Sequence, residues 1–147
     1  MVAALVRFPD GSTIGARSFA APREWDKPQF GVYLCSARAR RRQSRTTTVT
    51  WRSVWLEWPA LGLPRDAAAT TAALREAHRR ARSGQVVEVA CGTGRARTGT
   101  AVAAIAVAAG VEPVEAVAWT RQHYERRILV TPWQRAWLAR HAAGLRG

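Results

Sequence analysis

Apolar and polar positions divide the chain into a strand-rich first half and a second half in which strand and helix patterns take turns. LVRF runs into Pro9-Asp10-Gly11, a turn signal, and STIGARSF follows, so residues 4–20 predict a β-hairpin. FGVYLCS (30–36) is an apolar run of strand length. TTTVTWRSVWLEW (46–58) is β-branched and aromatic and predicts another strand, ended by Pro59 and Pro64. Asp66 stands where a helix N-cap belongs, ahead of a helix that runs to about Arg82 and stops at Ser83-Gly84. QVVEVA (85–90) predicts a buried strand. Glycines at 92, 94 and 99 break the pattern, and an almost wholly apolar helix then runs to Ala109, with Gly110 just past its end. Pro113 opens a further helix to about Tyr124, and Thr131-Pro132 opens the last, to about Ala143. The alternation of strands and helices predicts an α/β fold: a partly parallel, mixed sheet flanked by helices, in one domain over residues 1–147.

Composition narrows the class. The chain has 147 residues, 48% of them apolar, enough for one hydrophobic core and too many for a disordered chain. No apolar run approaches the roughly 20 residues that span a bilayer. The first residues, MVAALVRFPDG, are too short in apolar character for a signal peptide and carry no basic leader, so a cytoplasmic protein with reduced thiols and no membrane contact is expected. Cys35 and Cys91 are too few for a disulfide framework, and Cys35 reads as a small packed apolar residue. His78, His123 and His141 share no ligand spacing, so no metal site is expected.

Charge adds a preference for anions. Lys plus Arg is 23 against 10 for Asp plus Glu, a net +13, and every cation except Lys27 is arginine. Such a chain attracts polyanions and acidic partners. Most of these arginines read as ordinary solvated surface. Two clusters are denser. Arg38, Arg40, Arg41, Arg42 and Arg45 lie in a stretch without apolar periodicity, which predicts a loop. Arg75, Arg79 and Arg82 share one helix face opposite Leu74, Ala77 and Ala81. No aromatic residues interleave the first cluster and no nucleic-acid-binding motif is present, so nucleic acid is the less favoured polyanion.

Chemistry concentrates in VEVACGTGRARTGTAVAAIAV, where a buried strand runs into Cys91, a glycine-rich turn and a helix. A helix N-terminus offers unpaired N–H groups and partial positive charge. Glycines let the amides of residues 92–97 curl into an anion-binding nest. An arginine at the loop's end can hold two phosphate oxygens at once. A cysteine in that field favours the thiolate, a nucleophile for phosphoryl transfer. A Walker A reading fails because no lysine follows the loop, and the glycine spacing does not match a dinucleotide fingerprint.

Cys91-Gly-Thr-Gly-Arg-Ala-Arg97-Thr98-Gly99 resembles the signature of the cysteine-dependent protein tyrosine and dual-specificity phosphatases: Cys, five residues, Arg, then Ser or Thr. WPALGLP (58–64) resembles that family's Trp-Pro-Asp acid loop, and its third position lies 31 residues before Cys91. VEPVEAVAWTRQH (111–123) and TPWQRAW (131–137) resemble the helix after the signature and a segment carrying a water-positioning Gln. The match covers about residues 50–140 and is nearest to small bacterial tyrosine-phosphatase-like proteins. The resemblance implies the compact cysteine-phosphatase fold, with the nucleophile loop between a buried strand and a helix. It implies that Cys91 attacks phosphorus and that Gly92, Thr93, Gly94, Arg95, Ala96 and Arg97 bind phosphate. Thr98 then donates to the departing sulfur, and Gln134 places the hydrolytic water. Phosphorylated protein or peptide, phosphotyrosine above all, is the implied substrate, and no cofactor or metal is needed because the loop supplies the positive charge.

Two positions depart from the family pattern. Ala90 stands where a histidine usually precedes the nucleophile, and Ala60 stands where the acid-loop aspartate belongs. Asp66 is the candidate replacement acid, with Glu57 second; both also have ordinary roles, as a helix cap and as a solvated carboxylate. With no acid, the site is a pseudophosphatase or phosphate reader with little turnover, and a basic nucleic-acid-directed protein is the further alternative. Glu88 lies in a strand that otherwise looks buried; it either pairs with an arginine, helping to orient Arg97, or faces solvent. Arg95 either pulls on a second anionic group or points to solvent. Trp133, Trp137 and His141 form a stripe expected in the core.

Overall fold

In a computed structural model, which describes residues 2–46 and 49–147, the turn signal forms as read. Strand β1 (Ala3–Arg7) pairs antiparallel with β2 (Thr13–Ser18), and the Asp10 carboxylate accepts from the Ser12 N–H (3.0 Å) and hydroxyl (2.6 Å) across the turn. Strands β3 (Phe30–Cys35), β4 (Arg52–Glu57) and β5 (Val87–Cys91) run parallel to β2, giving a mixed sheet ordered β1-β2-β5-β3-β4. All five residues of β5, the middle strand, are buried, which is why its sequence reads as a continuous run. Ser18 and Leu34 stand in register with Cys91, so three strands end together at one edge. The carboxyl ends of parallel strands are where such sheets open a crevice.

Helices α1 (Ala37–Thr46), α2 (Ala67–Arg82), α3 (Ala96–Ala108), α4 (Ala116–His123) and α5 (Pro132–Arg146) complete the fold. Asp66 caps α2 by accepting from the Ala69 N–H, and Thr131 with Gln134 forms a capping box on α5. Helices α2 and α3 lie on the sheet face lined by Val32, Leu34, Val87 and Val89, and α4 and α5 pack over α3. Helix α3 is buried from Thr98 through Val107, so it is apolar on every side rather than striped. Among the described residues no helix is long and apolar enough to cross a membrane.

Several expectations need correction. Residues 38–45 are helical, not a loop: Ser36 accepts from the Ala39 N–H as an N-cap, Ala, Arg and Gln favour helix, and the Arg40 guanidinium lies 5.9 Å over the Trp55 ring. The helix shows no apolar stripe because its residues are Ala, Arg, Gln, Ser and Thr. The strand expected from residue 46 begins at Arg52; Thr47 and Thr48 lie outside the described residues. Pro113 opens a 3₁₀ turn (Pro113–Glu115) that leads into α4, and the last helix continues to Arg146.

Glu88 is fully buried on the sheet face away from α2 and α3. Gly15 and Gly31 flank it in register; a Cβ on either would lie 2.2 Å from the Trp25 ring or 2.3 Å from the Tyr33 hydroxyl. The two glycines therefore open a hollow. Into it Arg23 (2.6 and 3.0 Å), Arg17 (3.2 and 3.1 Å), Trp25 (3.1 Å) and Tyr33 (2.7 Å) all donate to the carboxylate. Burial opposes ionisation, but these donors and the two positive charges outweigh it and hold the carboxyl down to about 2. Its partners are Arg17 and Arg23 rather than Arg97, and the solvent-facing alternative is not taken.

Candidate active site

The site forms where β5 turns into α3. Cys91 is the last residue of β5 and is fully buried, with its sulfur accepting from the Gly94 N–H at 3.2 Å. Gly94 has φ +72°, and a Cβ there would lie 2.6 Å from the Ser18 nitrogen, so the loop runs against the end of β2 where only glycine fits. The Phe19 N–H donates to the Cys91 carbonyl at 2.9 Å, and the Arg95 N–H to the Thr93 hydroxyl at 3.3 Å. Helix α3 starts at Ala96 without a side-chain cap, which leaves first-turn amides for an anion. The Arg97 guanidinium lies over the loop: Nη2 is 3.3 Å from the Cβ position of Gly92, and Nη1 donates to the Trp58 carbonyl at 3.1 Å.

Buried polar atoms without partners are uncommon. Among the described residues there are four: Arg95 Nε in the loop, Thr98 Oγ1 in the first turn of α3, Ser18 Oγ at the end of β2, whose backbone meets Gly94, and Thr71 Oγ1 on α2.

The 58–62 segment is pinned beside the loop. The Trp58 indole and the Gln134 amide both donate to the Gly62 carbonyl (2.8 and 2.9 Å), and the Trp133 indole donates to the Leu61 carbonyl (2.7 Å). Leu61 adopts φ +58°, a left-handed conformation costly for a side chain, so these bonds hold a strained turn. Ala60 in its middle is exposed and offers no proton. Asp66 is exposed, with Oδ1 engaged by the Ala69 N–H at 3.0 Å. Glu57 is half exposed, with Arg65 3.8 Å away. Cys35 ends β3 as a free thiol; burial pushes it up, against the nearby charges of Arg97 and Arg40.

The structure thus gathers Cys91 to Thr98 and the 58–62 segment, and brings Gln134 in through Gly62. Gln134 is fully buried, and its Oε1 also accepts from the Thr131 N–H. The tryptophan stripe divides: Trp137 packs in the core against Trp58 and His141, whereas Trp133 is half exposed and holds the loop. Sequence reasoning missed Tyr124, whose hydroxyl donates to the Gly94 carbonyl, and Ser18. Tyr124 lies 30 positions from Gly94, and no local pattern links the two.

The family model described as protein-tyrosine phosphatase matches residues 19–127. Among solved structures, PTPMT1 is 17% identical, covering 97% of this chain and 96% of its own, with a TM-score of 0.72. PTPMT1 in complex with PI(5)P matches at 19% identity over 81% of this chain and 79% of its own, TM-score 0.67. Kinase associated phosphatase, with its catalytic-site cysteine replaced by serine, is 12% identical over 100% and 98%, TM-score 0.72. At these identities the likeness speaks for the fold. No curated protein sequence matches the chain.

Proposed function

The chain belongs to the protein-tyrosine phosphatase family, and from that premise we propose that it hydrolyses phosphomonoesters, aryl phosphates such as phosphotyrosine first, through Cys91. The observation that carries the reading is that one short stretch holds Cys91, the uncapped start of α3, Arg97 and the unpartnered buried Arg95 Nε and Thr98 Oγ1. The Cys91 sulfur forms a bond to phosphorus as the bond to the leaving oxygen breaks, giving a cysteinyl-phosphate and a phenolate that takes its proton from water. Arg97 and the loop amides, from Gly92 through Ala96, hold the equatorial oxygens where charge spreads. The Thr98 hydroxyl, buried without a partner, donates to the sulfur when water displaces it and releases inorganic phosphate. Gln134 fixes the 58–62 segment through Gly62 and reaches the hydrolytic water by exchanging that carbonyl.

Ala60 sets the substrate class. A phenol leaves with a pKa of about 10, whereas a serine or inositol oxygen leaves as a far more basic alkoxide. PTPMT1 is seen with PI(5)P, but a site without an acid on its loop favours aryl esters. Asp66 is the candidate replacement acid, and it must leave its capping bond to serve. The same vacancy favours a second reading, a phosphate reader with little turnover. Phosphate release from phosphotyrosine and phosphoserine peptides of one sequence, from about pH 4 to pH 8, separates them. Turnover of the phosphotyrosine peptide alone supports the enzyme; tight binding of it without turnover supports the reader.

A further inference from the structure

We infer that Tyr124 is a positioning residue for the nucleophile loop: from the end of α4, its hydroxyl holds the Gly94–Arg95 peptide so that the Arg95 N–H faces a bound phosphoryl group. The inference rests on the phosphatase reading above and adds to it a residue from outside the loop.

Three successive peptides of the loop are each held by a different partner. The Gly94 N–H donates to the Cys91 sulfur (3.2 Å), which fixes the peptide before Gly94. The Arg95 carbonyl accepts from the Gly99 N–H (2.8 Å), so the peptide after Arg95 belongs to the first turn of α3. Between them lies the Gly94–Arg95 peptide. It follows a glycine at φ +72°, and glycine leaves the next peptide freer to turn over than any residue with a side chain. The Tyr124 hydroxyl donates to its carbonyl. In a trans peptide the carbonyl and the following N–H point opposite ways, so this bond turns the Arg95 N–H away from Tyr124. There it meets the exposed Thr93 hydroxyl at 3.3 Å, a long bond that an anion's oxygen replaces. A hydrogen bond on the carbonyl also polarises the peptide and makes its N–H a stronger donor.

Tyr124 is itself held firmly. It caps α4, with its N–H donating to the Thr120 carbonyl (2.8 Å). Its ring packs against the core, and α4 packs on α3. Burial first, then the neighbouring Cys91 and Glu125, push the hydroxyl's pKa up against the pull of Arg95, so it keeps its proton and stays a donor. One face of Gly94 is thus closed by the Ser18 backbone, and its carbonyl is closed by a helix that joins the loop only through this bond.

The test is Tyr124→Phe, which keeps the ring and removes the hydroxyl, studied beside wild type at a temperature well below both Tm values. The probe is orthovanadate, which takes five ligands as phosphorus does during transfer. In wild type the Arg95 amide proton resonance should move downfield as vanadate saturates the loop. In Tyr124→Phe that movement should be lost, and vanadate should bind about tenfold more weakly, the effect of one misdirected hydrogen bond to a charged oxygen. On an aryl phosphate kcat should fall about tenfold with KM within about twofold, because the contact strengthens as charge moves onto the equatorial oxygens. A purely structural tyrosine would lower Tm and leave these three readouts unchanged in the folded protein. Vanadate affinity within about twofold of wild type, or an Arg95 amide that moves in the variant as in wild type, overturns the inference. So does an Arg95 amide that fails to move in wild type, which needs no variant. Wild type that does not bind vanadate overturns the anion nest and the inference together. Wild type that binds vanadate but turns over no ester overturns the phosphatase reading alone, and the affinity and the Arg95 resonance then decide the role of Tyr124.

Discussion

Ala60 sits exposed in a turn whose neighbours are tied to Arg97, Trp133 and Gln134, so a side chain added there meets solvent and the site rather than core. Ala60→Asp should therefore fold normally and raise kcat on a phosphotyrosine peptide by about 10²-fold or more, the usual worth of a positioned acid. It should also bring a falling alkaline limb, because the added group works only when protonated. An unchanged rate and pH profile would mean that the segment does not reach the leaving group. Gly94→Ala should be damaging for a different reason. Its φ of +72° and the 2.6 Å approach to the Ser18 backbone leave no room for a methyl, so the loop must shift from Cys91. We expect a lowered Tm and a loss of phosphate-dependent thermal stabilisation; normal behaviour in both would show the loop to be more forgiving. At this scale the sequence carried much: cysteine, arginine and glycines fall in one short stretch. Tyr124 and Ser18 did not announce themselves, since each meets the loop only through the fold.

Among elements, β5 carries two chemistries on one strand. Cys91 ends it, and Glu88 in its middle collects two arginines, a tyrosine and a tryptophan. Arg17 also donates to the carbonyls of Ser18, Phe19 and Ala21 at 2.9 to 3.3 Å, so the Glu88 cluster braces the segment against which Gly94 rests. Removing the carboxylate leaves buried Arg17 uncompensated. Glu88→Gln should thus cost about 3 to 5 kcal/mol in urea unfolding near neutral pH. The pH dependence follows from the depressed carboxyl, held at about 2 against an ordinary 4.5. Its contribution is complete above about 4.5 and is lost as pH falls toward 2. The gap between wild type and Glu88→Gln should narrow across that window; a constant gap would show that the Glu88 charge is not what stabilises the strand. The burial of β5 was legible from VVEVA, but partners 55 to 71 positions distant were not. Helix α1 escaped because pattern reading depends on an apolar stripe, which Arg-rich surface helices lack. The cap at Asp66 and the Thr131-Pro132 start were legible because their signals are local.

Across the whole molecule, parallel strands β2, β5 and β3 deliver Ser18, Cys91 and Leu34 to one edge, and Trp58 follows directly from β4. The chain's net +13 gives a field that attracts phosphorylated ligands and weakens as salt screens it. Peptide affinity should fall between low and high salt; a flat response would separate the charge from binding. Transfer of the phosphoryl group to Cys91 is tested by acid-quenching the protein during reaction with an aryl phosphate and weighing the peptide that contains residue 91. One added phosphoryl group is expected on that peptide in wild type and none in Cys91→Ser. Turnover without the adduct on Cys91, or equal turnover by Cys91→Ser, would contradict it.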